Sequence, residues 1–324
     1  MSVTAVVAVV AAAVLDRVFA EPPASVHPVA LFGRLVAPFD REWSHPTAVG
    51  ALAALGLPAF AAGIVAAATW SASTVSPWVG AGVAALALFS TTSLQMLLDA
   101  TETVVSATAS DMDTARRELR ALAGRDPVTL SAGEIRSAAV ESAAENLADG
   151  LVAPLLAFAL VVPFSLPLAT GAAAWVKGVN TLDSMLGYHH KPVGRVPAKL
   201  DDATMWLPAR VSAVLLAVVA GSPGVLGRVR SLARRPASPN SGWPMATLAA
   251  LLGTRLEKPD HYLLDAGTDF PDTETAARGV RLVSRAGLSA FALAGAVAWF
   301  SPESGSTLSP ALVALVPVEV FTWF

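Results

Sequence analysis

The sequence predicts an all-α, polytopic integral membrane protein with helical cytosolic segments and re-entrant hairpins, and three observations carry that prediction. Its 22 basic and 25 acidic residues make up 15% of 324 positions, while 54% are apolar; an ordinary soluble domain is about a quarter charged. From Ala48 to Leu98 no residue is charged. Strand-like alternation is scarce. The net charge of −3 offers no electrostatic footprint for nucleic acid. The absence of cysteine excludes disulfides, thiolate metal sites, iron–sulfur clusters and cysteine nucleophiles.

Residues 1–15 are uncharged, with no basic residue in front of the apolar part and no small-residue cleavage site, so they read as an uncleaved membrane segment rather than a removed signal peptide. A bilayer core of about 30 Å takes roughly 20 helical residues to cross, so 48–70 and 78–98 form a transmembrane hairpin around SASTVSP (71–77). Asp111 or Asp113 caps a helix through TARRELRALA to Gly124, and Ser131 with Glu134 has capping-box spacing. The polar segments 99–149 and 228–285 read as cytosolic and helical. Segments 16–45, 99–149 and 228–285 hold most of the Lys and Arg, which marks their side as the cytoplasmic one, whereas 71–77 and the linker 303–309 hold none.

Stretches 150–176 and 211–227 either cross or dip in and return. Pro163 and Pro167 supply breaks, and Lys177, Lys191, Arg195, Lys199 and Arg210 favour the inside, so the re-entrant version is expected. Further apolar stretches lie at 286–302 and 304–318, and 234–244 and 301–310 read as loops. Trp70, Trp78, Trp299 and Trp323 read as interfacial anchors. The whole chain, 1–324, is taken as a single membrane-embedded domain.

Acidic residues then stand out. In AVESAAENLADGLVAPLL (139–156), a continuous helix sets Glu141, Glu145 and Asp149 at i, i+4 and i+8, one stripe of like charge. Close to hydrocarbon such a stripe must be paired, hydrated or metal-bound. Two partners suit it: Mg²⁺, which takes oxygen ligands and retains waters, or a row of ion pairs to arginines such as Arg136 or Arg210. Asn146 adds a neutral amide suited to orienting a ligand.

A second polar cluster spans 177–210. Asn180, Thr181 and Asp183 read equally as a helix start or turn. Asp201 and Asp202 would point about 100° apart on a helix, so one of the two is expected to face a shared site. Arg210 either holds a carboxylate or phosphate bidentately or anchors a span end. His45 and His261 default to structural roles, and His189 and His190 are adjacent. No HExxH, phosphate loop or GxGxxG is present.

Taken together, LDRVFAEPPASVHPVALFGRLV (15–36), ARRELRALAGRD (115–126), AAVESAAENLADGLVAPL (138–155), VNTLDSMLGY (179–188), AKLDDATMWLPAR (198–210) and NSGWPMATLAALLGTRLEKPDHYLL (240–264) resemble the CobD/CbiB family. These are the membrane-bound adenosylcobinamide-phosphate synthases of cobalamin biosynthesis. The resemblance implies an ATP-dependent ligase in the cell membrane, its site facing the cytoplasm. It would join (R)-1-amino-2-propanol or its O-phosphate to the propionate of adenosylcobyric acid, with ATP and Mg²⁺.

On that reading Glu141, Glu145 and Asp149 hold the metal, and Asp183, Asp201 or Asp202 serves as second ligand or general base. Arg210 and Lys177 bind phosphate, while Asn146, Asn180 and His27 contact substrate. Two departures stand out: Ala20-Glu21-Pro22 replaces the family's usual Gly-Asp-Pro, and Pro127 replaces Thr or Ser after Gly-Arg-Asp (124–126). The rival readings are an intramembrane prenyltransferase using Mg-diphosphate, weakened by the lack of a DDxxD arrangement, and a transporter, weakened by acids confined to span ends. Oligomeric state is left open.

Overall fold

A computed structural model describes residues 2–23, 25–188 and 190–302. The apolar stretch 304–318, the linker 303–309, Trp323 and His189 lie outside the described residues. The chain opens with α1 (Val3–Phe19), followed by the short amphipathic α2 (Pro28–Val36). The predicted hairpin is α3 (Pro46–Val75) and α4 (Pro77–Thr91). Its turn is narrower than 71–77: nothing in SASTV breaks a helix, so only Ser76 leaves it, and Pro77 takes the first helical position, where no N–H is needed.

The chain resumes after Thr92–Ser93 as α5 (Leu94–Ala107). The first amides of α5 are satisfied from another helix: Leu94 and Gln95 N–H donate to the buried Asp16 carboxylate of α1 at 2.9 and 3.0 Å. Next comes α6 (Met112–Leu122), capped by Asp111, and then α7 (Ala132–Leu147), whose Ser131–Glu134 capping box forms as predicted.

After α7 the helix does not stop. A π turn over Ala148–Val152 joins it to α8 (Ala153–Val161), making a 30-residue rod long and apolar enough to cross a bilayer. The sequence boundary at 149 therefore falls inside a rod; Ile135, Ala138, Ala139 and Val140 are buried in protein, not solvated.

The chain reverses at Val162–Ser165, which contains Pro163, and returns as α9 (Leu166–Leu186) with Pro167 in its first turn. The return arm runs back along α3, and the first arm, as part of Ala132–Val161, is long and apolar enough to cross a membrane rather than dip in and return. Thr170 Oγ1 lies 2.9 Å from Thr69 Oγ1, close to the far end of α3. Small residues allow the close approach of α9 to α3, since Gly171 faces the Ala62 carbonyl and Gly178 faces Pro58.

Beyond α9, α10 (Arg195–Thr204) meets α11 (Trp206–Val219) at a 43° bend. The short α12 (Val225–Arg228) and α13 (Gly242–Leu252) follow. This second excursion closes where it began, because Arg210 Nη1 donates to Asn240 Oδ1 at 2.9 Å. A hairpin of two four-residue strands, β1 (Arg255–Lys258) and β2 (Tyr262–Asp265), was not expected. Leu256 pairs with Leu264, both fully buried, and Asp260 makes the turn at φ 62°. Last comes α14 (Thr273–Phe300), capped by Asp272.

By length and composition Pro46–Val75, Pro77–Ala107, Ala132–Val161 and Thr273–Phe300 can each cross a membrane, and the bent α10–α11 region would make a fifth span. Leu52, Phe60, Ile64, Leu86, Leu160 and Phe300 project outward from these helices, the surface that lipid covers. Trp70, Trp78 and Trp299 are exposed near helix ends, as interfacial anchors would be.

Candidate active site

Helices α7, α9 and α10, the turn 187–194 and the β-hairpin surround a cavity of about 740 Å³. Its walls carry Glu141, Glu145 and Asn146 from α7, Asp149 from the π turn, Asn180 and Asp183 from α9, and Asp201 and Asp202 from α10. The acidic stripe does share one face. Both Asp201 and Asp202 reach the cavity, because α10 lies along its wall and lines it with Arg195, Ala198 and Lys199 as well.

Glu141 departs from the expected metal set. It is almost fully buried and already satisfied: Arg125 Nη2 donates at 2.9 Å, Tyr262 Oη at 2.6 Å and Ser137 Oγ at 2.7 Å. Among the described residues no three His, Asp or Glu side chains are grouped to hold a metal ion. The ion-pair alternative holds for Glu141, with Arg125 as partner in place of Arg136 or Arg210. Arg136 instead donates to the Pro271 carbonyl and to Thr108 Oγ1. Burial, first, and the neighbouring Glu141 raise the Tyr262 phenol well above its ordinary range, which keeps it a donor.

The opposite wall is less satisfied. Asp183 Oδ1 is buried with no hydrogen-bond partner, and Gly187 leaves it room, since a Cβ there would collide with it. Asp201 Oδ1 receives one long contact, 3.5 Å from Asn180 Nδ2. Asp202 is fixed through its backbone, its carbonyl accepting from Asn240 Nδ2 at 2.7 Å. Asn146 donates its amide to Ser142 on its own helix. Lys191, Arg195, Lys199 and Lys258 also line the cavity, Lys191 paired to Asp40 at 2.8 Å.

This donor set fits a hydrated Mg²⁺, which needs one or two carboxylates and keeps several waters. Asp183, Asp149 and Glu145 all line the cavity and are the carboxylates available to such an ion.

Three expected site residues lie elsewhere. Arg210 donates to the Trp206 and Pro239 carbonyls and to Asn240, and its guanidinium lies over the rings of Trp206 and Trp243 at 4.4 and 5.2 Å. It ties the second excursion shut rather than facing the cavity. His27 is a helix cap, its Nδ1 accepting from Val29 N–H at 3.1 Å, because Val-His-Pro sets an acceptor directly before a proline at the first helical position. Lys177 faces away. Helix α9 turns Asn180, Asp183 and Ser184 to the cavity but Ala174, Lys177, Gly178 and Thr181 to a second, apolar slot.

Sequence reasoning missed Arg125, Tyr262, Lys258 and Asn240 as cavity residues. Each lies within a block quoted for the family resemblance, yet the pairings join residues 16 and 121 positions apart, which spacing along one helix cannot show.

The fold and the cavity define a class: a polytopic helical membrane protein with an acid-walled, basic-rimmed chamber at one end of its bundle. The family model described as CobD/Cbib protein matches residues 9–286, and the chain belongs to that family of cobalamin biosynthesis proteins. It is 36% identical over 291 residues to the "probable cobalamin biosynthesis protein CobD" of Methanothrix thermoacetophila, covering 85% of this chain and 91% of that one. The cobalamin biosynthesis protein CobD of Klebsiella pneumoniae is 36% identical over 273 residues, 77% of this chain and 81% of its own. That of Mycobacterium tuberculosis is 36% identical over 276 residues, 80% and 82%. No solved structure matches.

Proposed function

We propose that the protein joins (R)-1-amino-2-propanol or its O-phosphate to the propionate of adenosylcobyric acid, giving adenosylcobinamide or its phosphate, with ATP as driver and Mg²⁺ as cofactor. Family membership supports a corrinoid substrate. One observation carries the chemistry: Glu145, Asp149, Asp183, Asp201 and Asp202 line one chamber of about 740 Å³ together with Arg195, Lys199 and Lys258.

The corrinoid carboxylate attacks the terminal phosphorus of ATP, ADP leaves, and an acyl phosphate results. The amine nitrogen then attacks the acyl carbon and inorganic phosphate departs. Asp201 or Asp202 takes the proton that the amine loses. Arg195, Lys199 and Lys258 counter the phosphate charge. Asn146 and Asn180 orient the amine. When bound, Mg²⁺ supplies charge neutralisation at phosphate oxygens, and Glu145, Asp149 and Asp183 would hold it. The Lys and Arg residues lining the chamber support a cytoplasmic side for it.

The test is a coupling assay on membranes containing the protein, with adenosylcobyric acid and each amine, with and without ATP. Cobinamide or its phosphate should form only when ATP is present. No product with either amine would overturn the reading.

A further inference from the structure

The apolar slot on the neighbouring face of α9 is bounded by α2, α3 and α4 and has a volume of about 260 Å³. Ala61, Ile64, Val65 and Ala68 form one wall and Val83, Leu86 and Ala87 another. From Ala61 to Ala68 is seven residues, about 10 Å of helix. Ile64 and Leu86 are more than half exposed, so the slot opens sideways to the lipid. One charged residue lines it, Lys177. No carboxylate of the described residues comes within 4.0 Å of this ammonium; Asp149 and Glu21 are the acids that act on it from further away.

The mouth lies at the level of α2. Phe32 and Val36 of α2 are buried against the bundle while Leu31, Leu35 and Arg34 face outward, the pattern of a helix lying in a membrane surface. The Phe32 ring approaches Gly178, next to Lys177. Pro28 and Val29, the first residues of α2, also line the slot and turn its positive end toward Lys177. A lysine with no carboxylate of the described residues within 4.0 Å, lining an otherwise apolar channel open to lipid, complements one chemistry, a phosphate on an acyl chain.

We propose that this slot is a binding site for an anionic phospholipid of the bilayer, one acyl chain between α3 and α4 and its phosphate at Lys177. The site is separate from the acidic cavity and does not rest on the reaction proposed above.

The full-length protein, reconstituted in nanodiscs of equal phosphatidylglycerol and phosphatidylcholine, is released and its retained lipid counted by native mass spectrometry. Wild type should retain phosphatidylglycerol over phosphatidylcholine by roughly fivefold, the ratio that about 1 kcal/mol per surface lysine gives. Lys177→Arg should keep that preference and Lys177→Leu should reduce it to parity. Ala87→Trp, which fills the slot and leaves the lysine, should lose the retained lipid altogether. Thermal unfolding of each variant separates loss of lipid from loss of fold. A preference unchanged in both folded Lys177→Leu and Ala87→Trp, or equal retention of the two lipids by wild type, overturns the site.

Discussion

Arg125 Nη2 lies 2.9 Å from Glu141 Oε2, with side-chain exposures of 12% and 2%. At that burial the pair is shielded from water, and removing one partner strands the charge of the other. A lone deletion of this kind costs about 3–5 kcal/mol. Arg125→Met should therefore lower the unfolding free energy in detergent by about that much, and Arg125→Met with Glu141→Gln should recover most of it. Chemical denaturation of the two variants measures the coupling. Equal losses in both would show that the contact contributes nothing.

Ala20 ends α1 at φ 58°, ψ −59°, where an L side chain crowds the backbone. Positive φ costs a non-glycine residue about 1–2 kcal/mol, and glycine gives back about 0.5–1 kcal/mol in chain entropy. Ala20→Gly should raise stability by about 0.5–1 kcal/mol, read as an increase in Tm. A lower Tm would show that the turn relaxes around alanine without strain.

Much of this architecture was written locally. The Ser131 capping box and the break at Pro163 act within a few residues and formed where the spacing placed them, while the charge-free run to Leu98 gave the helical hairpin with a shorter turn and a break at Thr92–Ser93. The acidic stripe, too, is a property of one helix. What escaped the sequence depends on distant chain segments meeting. Arg125 reaches Glu141 from the loop after α6, and Tyr262 arrives from a hairpin whose four-residue strands are too short for a periodic signal. Lys177 and Asn180 are three residues apart, about 60° around α9, yet they line different cavities because two cavities meet along that helix. Arg210 looked like a phosphate ligand because any arginine near carboxylates does; two tryptophan rings and Asn240 claim it instead.

His27 caps α2 only while its Nδ1 is unprotonated, since it accepts from Val29 N–H. Burial chiefly lowers its pKa below the ordinary 6.5, and Lys177 acts in the same direction against Glu21. The unfolded chain then binds the proton more readily than the folded one. This contribution is fully present above pH 6.5 and is lost as pH falls below it toward the folded value. The protection factor of the Val29 amide, its exchange rate corrected for the intrinsic pH dependence, should fall on acidification through that window. His27→Asn, which caps without titrating, should flatten the dependence. An identical pH profile in that variant would remove His27 as its source.

Asp183 separates function from stability. Its buried Oδ1 has no partner to lose, so Asp183→Asn should leave Tm within a degree or two of wild type. A carboxylate that binds a metal or moves a proton is another matter, and general acid–base groups contribute about 10²–10⁴-fold. Coupling of the amine should fall by that range in a protein that still folds. Gly187→Ala gives a second approach, because its Cβ pushes against the Asp183 carboxylate without changing any charge. It should slow coupling as well, while the Arg125–Glu141 wall stays intact. Full turnover by folded Asp183→Asn would remove this residue from the reaction, and full turnover by Gly187→Ala alone would show that its exact placement is unimportant.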